Sequence, residues 1–474
     1  MGDPPWPPLG RGKLLRSKEG RPQRDALTSM NILWVKAGKL LPVDTGGKIR
    51  SYNILRRLAS RHQVTLLSYY NGPRDEVYEK EIVEHLPGAV TINTGIDDSN
   101  RFATGLNYLR RLPDAAPFAV TKFTSSNVQK KVGEFLSSHR FDVCVCDFLA
   151  ASLNFPRALE TPTVLFQHNV ESSLWQRQAL HEPNIANRMV YKLEAAKMLR
   201  YEREAVNRFH HVIAVSDNDR RLMSALTDAS RIDVVPTGVD LQQYRSARED
   251  SIESDAAEPL LVFVGSMDWE ANIDAVDYFC REIWAAVKKA VPGARFRIVG
   301  RNPHARVKKL ANDSIEVTGT VASVIEHYRD ATVNIVPLRI GGGTRLKIYE
   351  AMAMGKATVS TSIGAEGLDV NDGRDILITD SSERFAESTI ALLTDEHLRK
   401  KIETGAVEQA ARYDWSVITE RFEQVLAGVA RRYFDHNSVV STHVGAALRG
   451  RPSSINEGLP HQGGAATEGR PYTV

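Results

Sequence analysis

The sequence predicts an α/β protein of two doubly wound domains that face each other across a cleft. Three observations carry this. Short apolar runs rich in Val and Ile alternate with helix-period segments from residue 31, and the alternation restarts at residue 260. That is the pattern of parallel sheets with crossover helices. Between the two series, residues 241–259 become acidic and poor in large apolar side chains, as an interdomain linker does. In the second series an apolar run at 331–338 leads through Gly341, Gly342 and Gly343 into a strongly helix-forming stretch at 345–354.

In the first series, residues 31–36 form a strand. A long loop follows at 37–48, carrying Gly46 and Gly47, then a helix over 49–61 with Leu55 and Leu58 on its apolar face. Strands follow at 64–68, 90–92, 142–146, 163–166, 211–215 and 233–235, and residues 171–208 are charged and helical. The second series has strands at 260–264, 295–299, 315–318, 332–336 and 357–360 and helices at 272–289 and 321–330. Helices at 382–393, 396–412 and 415–432 close it. The domains are therefore expected at 30–240 and 260–435, with the last helix able to pack back on the first domain. Residues 1–29 and 436–474, rich in Gly, Pro and polar residues, are expected to be disordered, which makes Met30 a candidate start of the folded chain.

Composition excludes several classes. At 474 residues there is ample chain for two cores, and a net charge of +3 gives no footprint for nucleic acid. Cys144, Cys146 and Cys280 lack the spacing of a zinc site or a disulfide framework and are expected as small buried hydrophobes in a reducing compartment; no metal site is expected. No run is long and apolar enough to span a membrane and no secretory leader is evident. The expected location is cytoplasmic, with peripheral contact at the inner membrane face left open. Neither G-x-G-x-x-G after the first strand nor G-x-x-x-x-G-K-[ST] is present, which argues against a nicotinamide oxidoreductase and a P-loop NTPase.

Ligands of open α/β sheets bind beyond the carboxyl ends of the strands, so the residues there are the candidates. Around the helix start at 345, the backbone amides and dipole favour an anion. Gly343, Thr344, Arg345 and Lys347 would form its cradle, with Glu350 one turn on, placed to hold sugar hydroxyls. Cations in a first helical turn are locally unfavourable, which itself points to a bound anion. Gly265 and Ser266 end one strand, Gly300 and Arg301 another. In the first domain His168, Asn169 and Glu171 emerge from the strand 163–166. His168 is a candidate for binding sugar hydroxyls or assisting proton transfer, and Gly46 and Gly47 cover the cleft.

Taken together, these segments resemble the bacterial glycosyltransferases of family 4, with the two-domain GT-B fold of paired Rossmann-like domains. The marks are Thr45-Gly46-Gly47, His168-Asn169-Val170-Glu171, Ala214-Val215-Ser216, Val235-Pro236-Thr237-Gly238-Val239-Asp240, Val264-Gly265-Ser266-Met267 and the run from Gly341 through Glu350 to Gly355. The subgroup most resembled makes exopolysaccharide or other surface glycans.

The resemblance implies metal-independent, retaining transfer of a sugar from a nucleoside diphosphate donor to a glycan or lipid-linked acceptor, with no further cofactor. It implies that Arg345, Lys347 and the amides near Thr344 hold the diphosphate, Glu350 the ribose, and His168 the donor sugar, while Gly46 and Gly47 lie near the diphosphate and acceptor. One departure stands out. Many members carry a second glutamate eight positions before the one matched by Glu350, and Gly342 occupies that place. Thr237 replaces a commoner Asn. A nucleotide-sugar epimerase on the same fold and a non-catalytic nucleotide-sugar-binding partner remain as alternatives.

Overall fold

The protein folds, in a computed structural model, into two parallel sheets stacked with helices, as the alternation predicts. The structure describes residues 29–96, 108–138, 140–182, 184–249, 258–340 and 345–449. Residues 1–28, Gly341 to Thr344 and 450–474 therefore lie outside the described residues, and with them nearly all of the N-terminal segment expected to be disordered, two of the expected cradle residues (Gly343 and Thr344), Gly342 and most of the expected tail.

The first sheet has the order β3-β2-β1-β4-β5-β6-β7. Its strands are β1 (Asn31–Ala37), β2 (Gln63–Tyr70), β3 (Val90–Asn93), β4 (Val143–Asp147), β5 (Thr163–Phe166), β6 (His211–Ala214) and β7 (Ile232–Val234). The second sheet repeats the plan as β10-β9-β8-β11-β12-β13. Its strands are β8 (Leu260–Val264), β9 (Arg295–Val299), β10 (Ile315–Gly319), β11 (Val333–Val336), β12 (Ala357–Ser360) and β13 (Leu377–Ile378). All pairings within both sheets are parallel. Helices cover both faces, so the central strands read as continuous apolar runs: β4 and β5 are buried at every residue. In each sheet the strand order reverses once, between β1 and β4 and between β8 and β11. Those two reversals open the crevices in which such sheets bind ligands.

Four limits differ from the sequence expectation. The first helix begins at Gly46, not at 49, so Gly46 and Gly47 form its first turn, with Thr45 as N-cap. Residues Leu241–Glu249, expected as linker, form a helix in which Tyr244 is buried. Its start signal is Asp240, whose side chain accepts from the amide of Gln243, a D-x-x-Q capping pattern that acidic composition obscured. The helix expected over 272–289 runs Glu270–Tyr278 and Trp284–Ala290, with a π-turn at Phe279–Ile283 between them. The last helix spans Trp415–Arg449, past its expected end at 432 and into residues 436–449, expected to be disordered. Val440, Val444 and Leu448 recur there every four residues, a helical period in the sequence. The described residues from Arg431 on form a unit separate from the rest.

The chain passes between the two sheets twice, and the crossings lie side by side. The amide of Val239 donates to the carbonyl of Tyr413 at 2.8 Å, and that of Trp415 to the carbonyl of Val239 at 3.2 Å. A Cβ on Gly238 would sit 2.6 Å from the Trp415 ring, so glycine lets the two segments touch. Beyond the second crossing Phe422 packs on Trp34 and Phe166 of the first sheet, with ring centroids 5.5 and 5.0 Å away.

Candidate active site

The two switch points face each other across a cleft of about 680 Å³. On the first-sheet side, β4 ends in Asp147, fully buried and accepting four side-chain hydrogen bonds. Its Oδ2 takes Trp34 Nε1 at 3.0 Å, Lys36 Nζ at 3.1 Å and Ser51 Oγ at 2.7 Å. Its Oδ1 lies 2.7 Å from His168 Nε2. Trp34 and Lys36 are two apart on β1 and so point the same way. Lys36 also pairs with Asp147 in the strand register, which brings its ammonium to the carboxylate. Burial acts to raise the Asp147 pKa, but Lys36 and His168 outweigh it and hold the carboxyl ionised, well below the usual range.

His168 is buried, and both of its ring nitrogens are engaged. Arg50 NH1 lies 2.7 Å from Nδ1. A guanidinium can only donate, so Nδ1 accepts, and Nε2 carries the proton that goes to Asp147. Burial lowers the His168 pKa to about 3 against the pull of Asp147, so the ring is neutral at physiological pH. Phe148 stacks on it, centroids 3.6 Å apart and planes 6° apart. A Cβ on Gly47 would meet the Phe148 ring at 2.5 Å, so glycine at the helix start makes room for this stack. The proton-transfer role expected of His168 does not fit this arrangement, because no lone pair remains to receive a proton. Arg50 further donates Nε to Thr237 Oγ1 at 2.8 Å, which ties the site to the turn that precedes the first crossing.

On the second-sheet side, the helix Leu346–Ala353 starts at the cleft with Arg345 as its N-cap. Lys347 Nζ donates to Asn272 Oδ1 at 2.9 Å and lies 4.1 Å above the centre of the Phe263 ring. A Cβ on Gly265 would come within 2.8 Å of that ammonium; glycine at the end of β8 leaves the space in front of it open. Burial, then repulsion from Arg345, lowers the Lys347 pKa to about 7, against attraction from Glu350. Arg345 is lowered to about 10, chiefly by burial, and remains charged. Glu350 is raised to about 6 by burial, with Tyr244, Lys347 and Tyr328 opposing. A buried and a half-buried cation thus crowd one helix start, a costly arrangement that an arriving anion relieves.

The cleft brings together Gly46, Gly47, His168, Asn169, Gly265, Ser266, Gly300, Arg301, Arg345, Lys347 and Glu350. Arg301 reaches across it to Asp44 at 3.2 Å. Glu171 does not line it. This residue starts the helix Glu171–His181, and burial with repulsion from Glu202 pushes its carboxyl up to about 7. Glu202 accepts from the amides of Glu171 and Ser172 and from Gln167 Nε2, which fixes the turn carrying His168 and Asn169.

Sequence reasoning missed Arg50, Asp147 and Asn272. The signals were present but faint: Arg50 falls four residues before Ile54 on the buried helix face, and Asp147 is a carboxylate closing the apolar run of β4.

Residues 45–243 match the family model described as Glycosyltransferase Family 4, and residues 258–395 that described as Glycosyl transferases group 1. The phosphatidyl-myo-inositol mannosyltransferase of Mycolicibacterium smegmatis is 28% identical over 229 residues, 46% of this chain and 57% of that protein. The D-inositol 3-phosphate glycosyltransferase of Frankia alni is 27% identical over 255 residues, 49% and 60% of the respective chains. The chain thus matches a little under two thirds of the length of these curated relatives. Among solved structures, the sucrose-phosphate synthase of Thermosynechococcus elongatus superposes with a TM-score of 0.62 at 16% identity, covering 84% of this chain and 99% of the other. Anabaena HepE in complex with UDP and glucose superposes with a TM-score of 0.57 at 16% identity, again over 84% and 99%. Two doubly wound domains closing on one cleft define the GT-B fold. The chain belongs to family 4 of the GT-B glycosyltransferases.

Proposed function

We propose that the protein is a retaining glycosyltransferase that moves a sugar from a nucleoside diphosphate donor to an acceptor hydroxyl, without a metal ion, in the synthesis of a surface polysaccharide or glycoconjugate. The observation that carries this reading is the pair Arg345 and Lys347, a buried and a half-buried cation at one helix start facing an open cleft. A diphosphate leaving group develops negative charge there, and fixed cations in a dry site stabilise it strongly. Arg345 and Lys347 take the part a metal would otherwise play. In a front-side displacement the acceptor hydroxyl attacks the face the diphosphate leaves, and the leaving phosphate oxygen takes the acceptor proton. This suits a site in which the nearby histidine is neutral with both nitrogens occupied. His168, locked between Arg50 and Asp147, is proposed to line the donor-sugar side as a fixed wall, with no ring nitrogen left to move a proton. Glu350 holds the ribose. Gly343 and Thr344 are proposed to complete the diphosphate cradle with their backbone amides.

Incubating the protein with a panel of nucleotide sugars, with and without chelator, tests the reading. Uridine nucleotides come first because a protein of the same fold, HepE, is solved with UDP and UDP-glucose. Donor hydrolysis that survives the chelator is expected. Epimerised nucleotide sugar without an acceptor would point to an isomerase instead, and no turnover of any donor to a binding partner.

Two further outcomes follow from the site. Glu350→Gln is expected to weaken nucleotide binding by about 10-fold, the effect of losing one charged hydrogen-bond acceptor. Unchanged affinity by calorimetry would remove Glu350 from the ribose site. Donor affinity is also expected to be highest between the two carboxylate and ammonium transitions. Below about 6 Glu350 protonates and loses its acceptor charge; above about 7 Lys347 loses the proton that the diphosphate needs. On the alkaline side affinity falls by up to about 10-fold per pH unit until the pKa of the donor-bound Lys347 is passed. A flat profile from about pH 5 to about pH 9 would contradict this assignment.

A further inference from the structure

We infer that the hairpin formed by the helices Glu171–His181 and Ile185–Arg208 is a docking surface for an anionic phospholipid membrane. The helix Ile185–Arg208 places Ile185, Met189 and Leu193 at four-residue steps, hence on one face. Ile185 is 73% and Met189 68% exposed, and Leu180 at the end of the partner helix is 75% exposed. Large apolar side chains this open, gathered on one hairpin tip, are not spared from water by anything else in the chain among the described residues.

The same surface continues into the short segment after residue 107. There the carbonyl of Leu112 receives Lys197 Nζ at 2.6 Å and that of Ala115 receives Arg200. Leu109 and Leu112 are also exposed on this segment.

Charge decides what this face meets. The helix Ile185–Arg208 carries Arg188, Lys192, Lys197, Arg200, Arg203 and Arg208. Of its acidic residues, Glu194 and Glu202 are buried, while the exposed Glu204 lies 3.7 Å from Arg200 and offsets that cation, which leaves the face net positive. Apolar side chains flanked by cations match the boundary between acyl chains and anionic headgroups. A second copy of the same face would set like charges against like, which disfavours self-association through it. The location is apt as well. The helix Glu171–His181 begins two residues after Asn169, which lines the cleft. Its 11 residues rise about 16 Å, so the hairpin tip stands about that far from the site. A membrane under the tip would bring lipid-borne acceptors to the first-sheet side of the cleft.

The test is flotation of the full chain with vesicles of phosphatidylglycerol or of phosphatidylcholine, without any sugar substrate, so that its result is independent of the proposed reaction. Binding to the anionic vesicles and not to the neutral ones is expected. The variant I185S/M189S/L193S should lose about 10-fold or more of it. K192E/R203E should lose about 25-fold or more, from about five-fold for each basic residue removed. Both variants change exposed side chains outside the cleft, so UDP affinity, wherever the wild type shows it, should be unaltered. Equal binding to both lipids, or wild-type flotation by the two variants, would overturn the proposal. So would a concentration-dependent dimer without vesicles that the apolar variant abolishes.

Discussion

Lys347→Ala is expected to lower the rate of sugar transfer by about 100-fold or more while leaving the fold intact. Losing one preorganised group that stabilises charge on the departing oxygen typically raises a barrier on the order of 3 kcal/mol. The effect should fall on kcat, because the diphosphate carries its greatest charge as it departs. The folded state gives little reason to suffer. Lys347 is held at a pKa of about 7 by burial and by Arg345, so its charge is tolerated rather than needed. Its loss leaves only Asn272 Oδ1 without its donor. A thermal melt within a few degrees of wild type, with turnover near background, is the expected pair of results. Near-wild-type turnover would remove Lys347 from the diphosphate site.

Asp147→Ala is expected to cost stability, about 3–5 kcal/mol, because it strands the buried ammonium of Lys36 without its counter-charge. The indole of Trp34, the hydroxyl of Ser51 and the proton of His168 lose their acceptor at the same time. Denaturant titration at neutral pH reads the deficit. Its pH dependence has a definite sign. The Asp147 carboxyl has a folded pKa below its unfolded value, so its contribution is fully present above the unfolded pKa of about 3.9 and disappears as pH falls through the folded one. The gap between wild type and variant should therefore be constant above about pH 5 and narrow only in stronger acid. A variant as stable as wild type at neutral pH would show that the network contributes nothing to the fold.

The sequence disclosed the fold because its strands are buried on both faces. β5, β8 and β9 fall on their expected residues, since an unbroken apolar run bounded by turns has few alternative readings. It disclosed the second-sheet half of the site for a related reason. Arg345, Lys347 and Glu350 lie within one turn and a half of helix, so their juxtaposition is local. The first-sheet half was less legible. Arg50, Asp147 and His168 are separated by about a hundred residues and by twenty-one. Only the strand order places β1 beside β4 and thereby brings Lys36 and Trp34 onto Asp147. His168 was visible as a polar residue at a strand end, but its tautomer was not. That depends on Arg50, whose charge on an apolar helix face reads as an interruption until its partner is known. The helix Leu241–Glu249 was hidden for a different reason: its capping aspartate precedes a stretch whose composition resembles a linker.

The paired crossings have a mechanical meaning. Two chain segments that pass between two bodies far apart would brace them like a frame, and the angle between the bodies would be stiff in every direction. Here Val239 and Asp414 lie side by side, joined by the bonds of Val239 to Tyr413 and Trp415. Adjacent crossings act as a single pin. Rotation about their common line is the motion such a pin restrains least, and the ion pairs Asp44–Arg301 and Arg177–Glu366 also join the halves. Both are partly solvent-exposed ion pairs, each worth at most about 1 kcal/mol, so rising salt is expected to weaken these two links without touching either core.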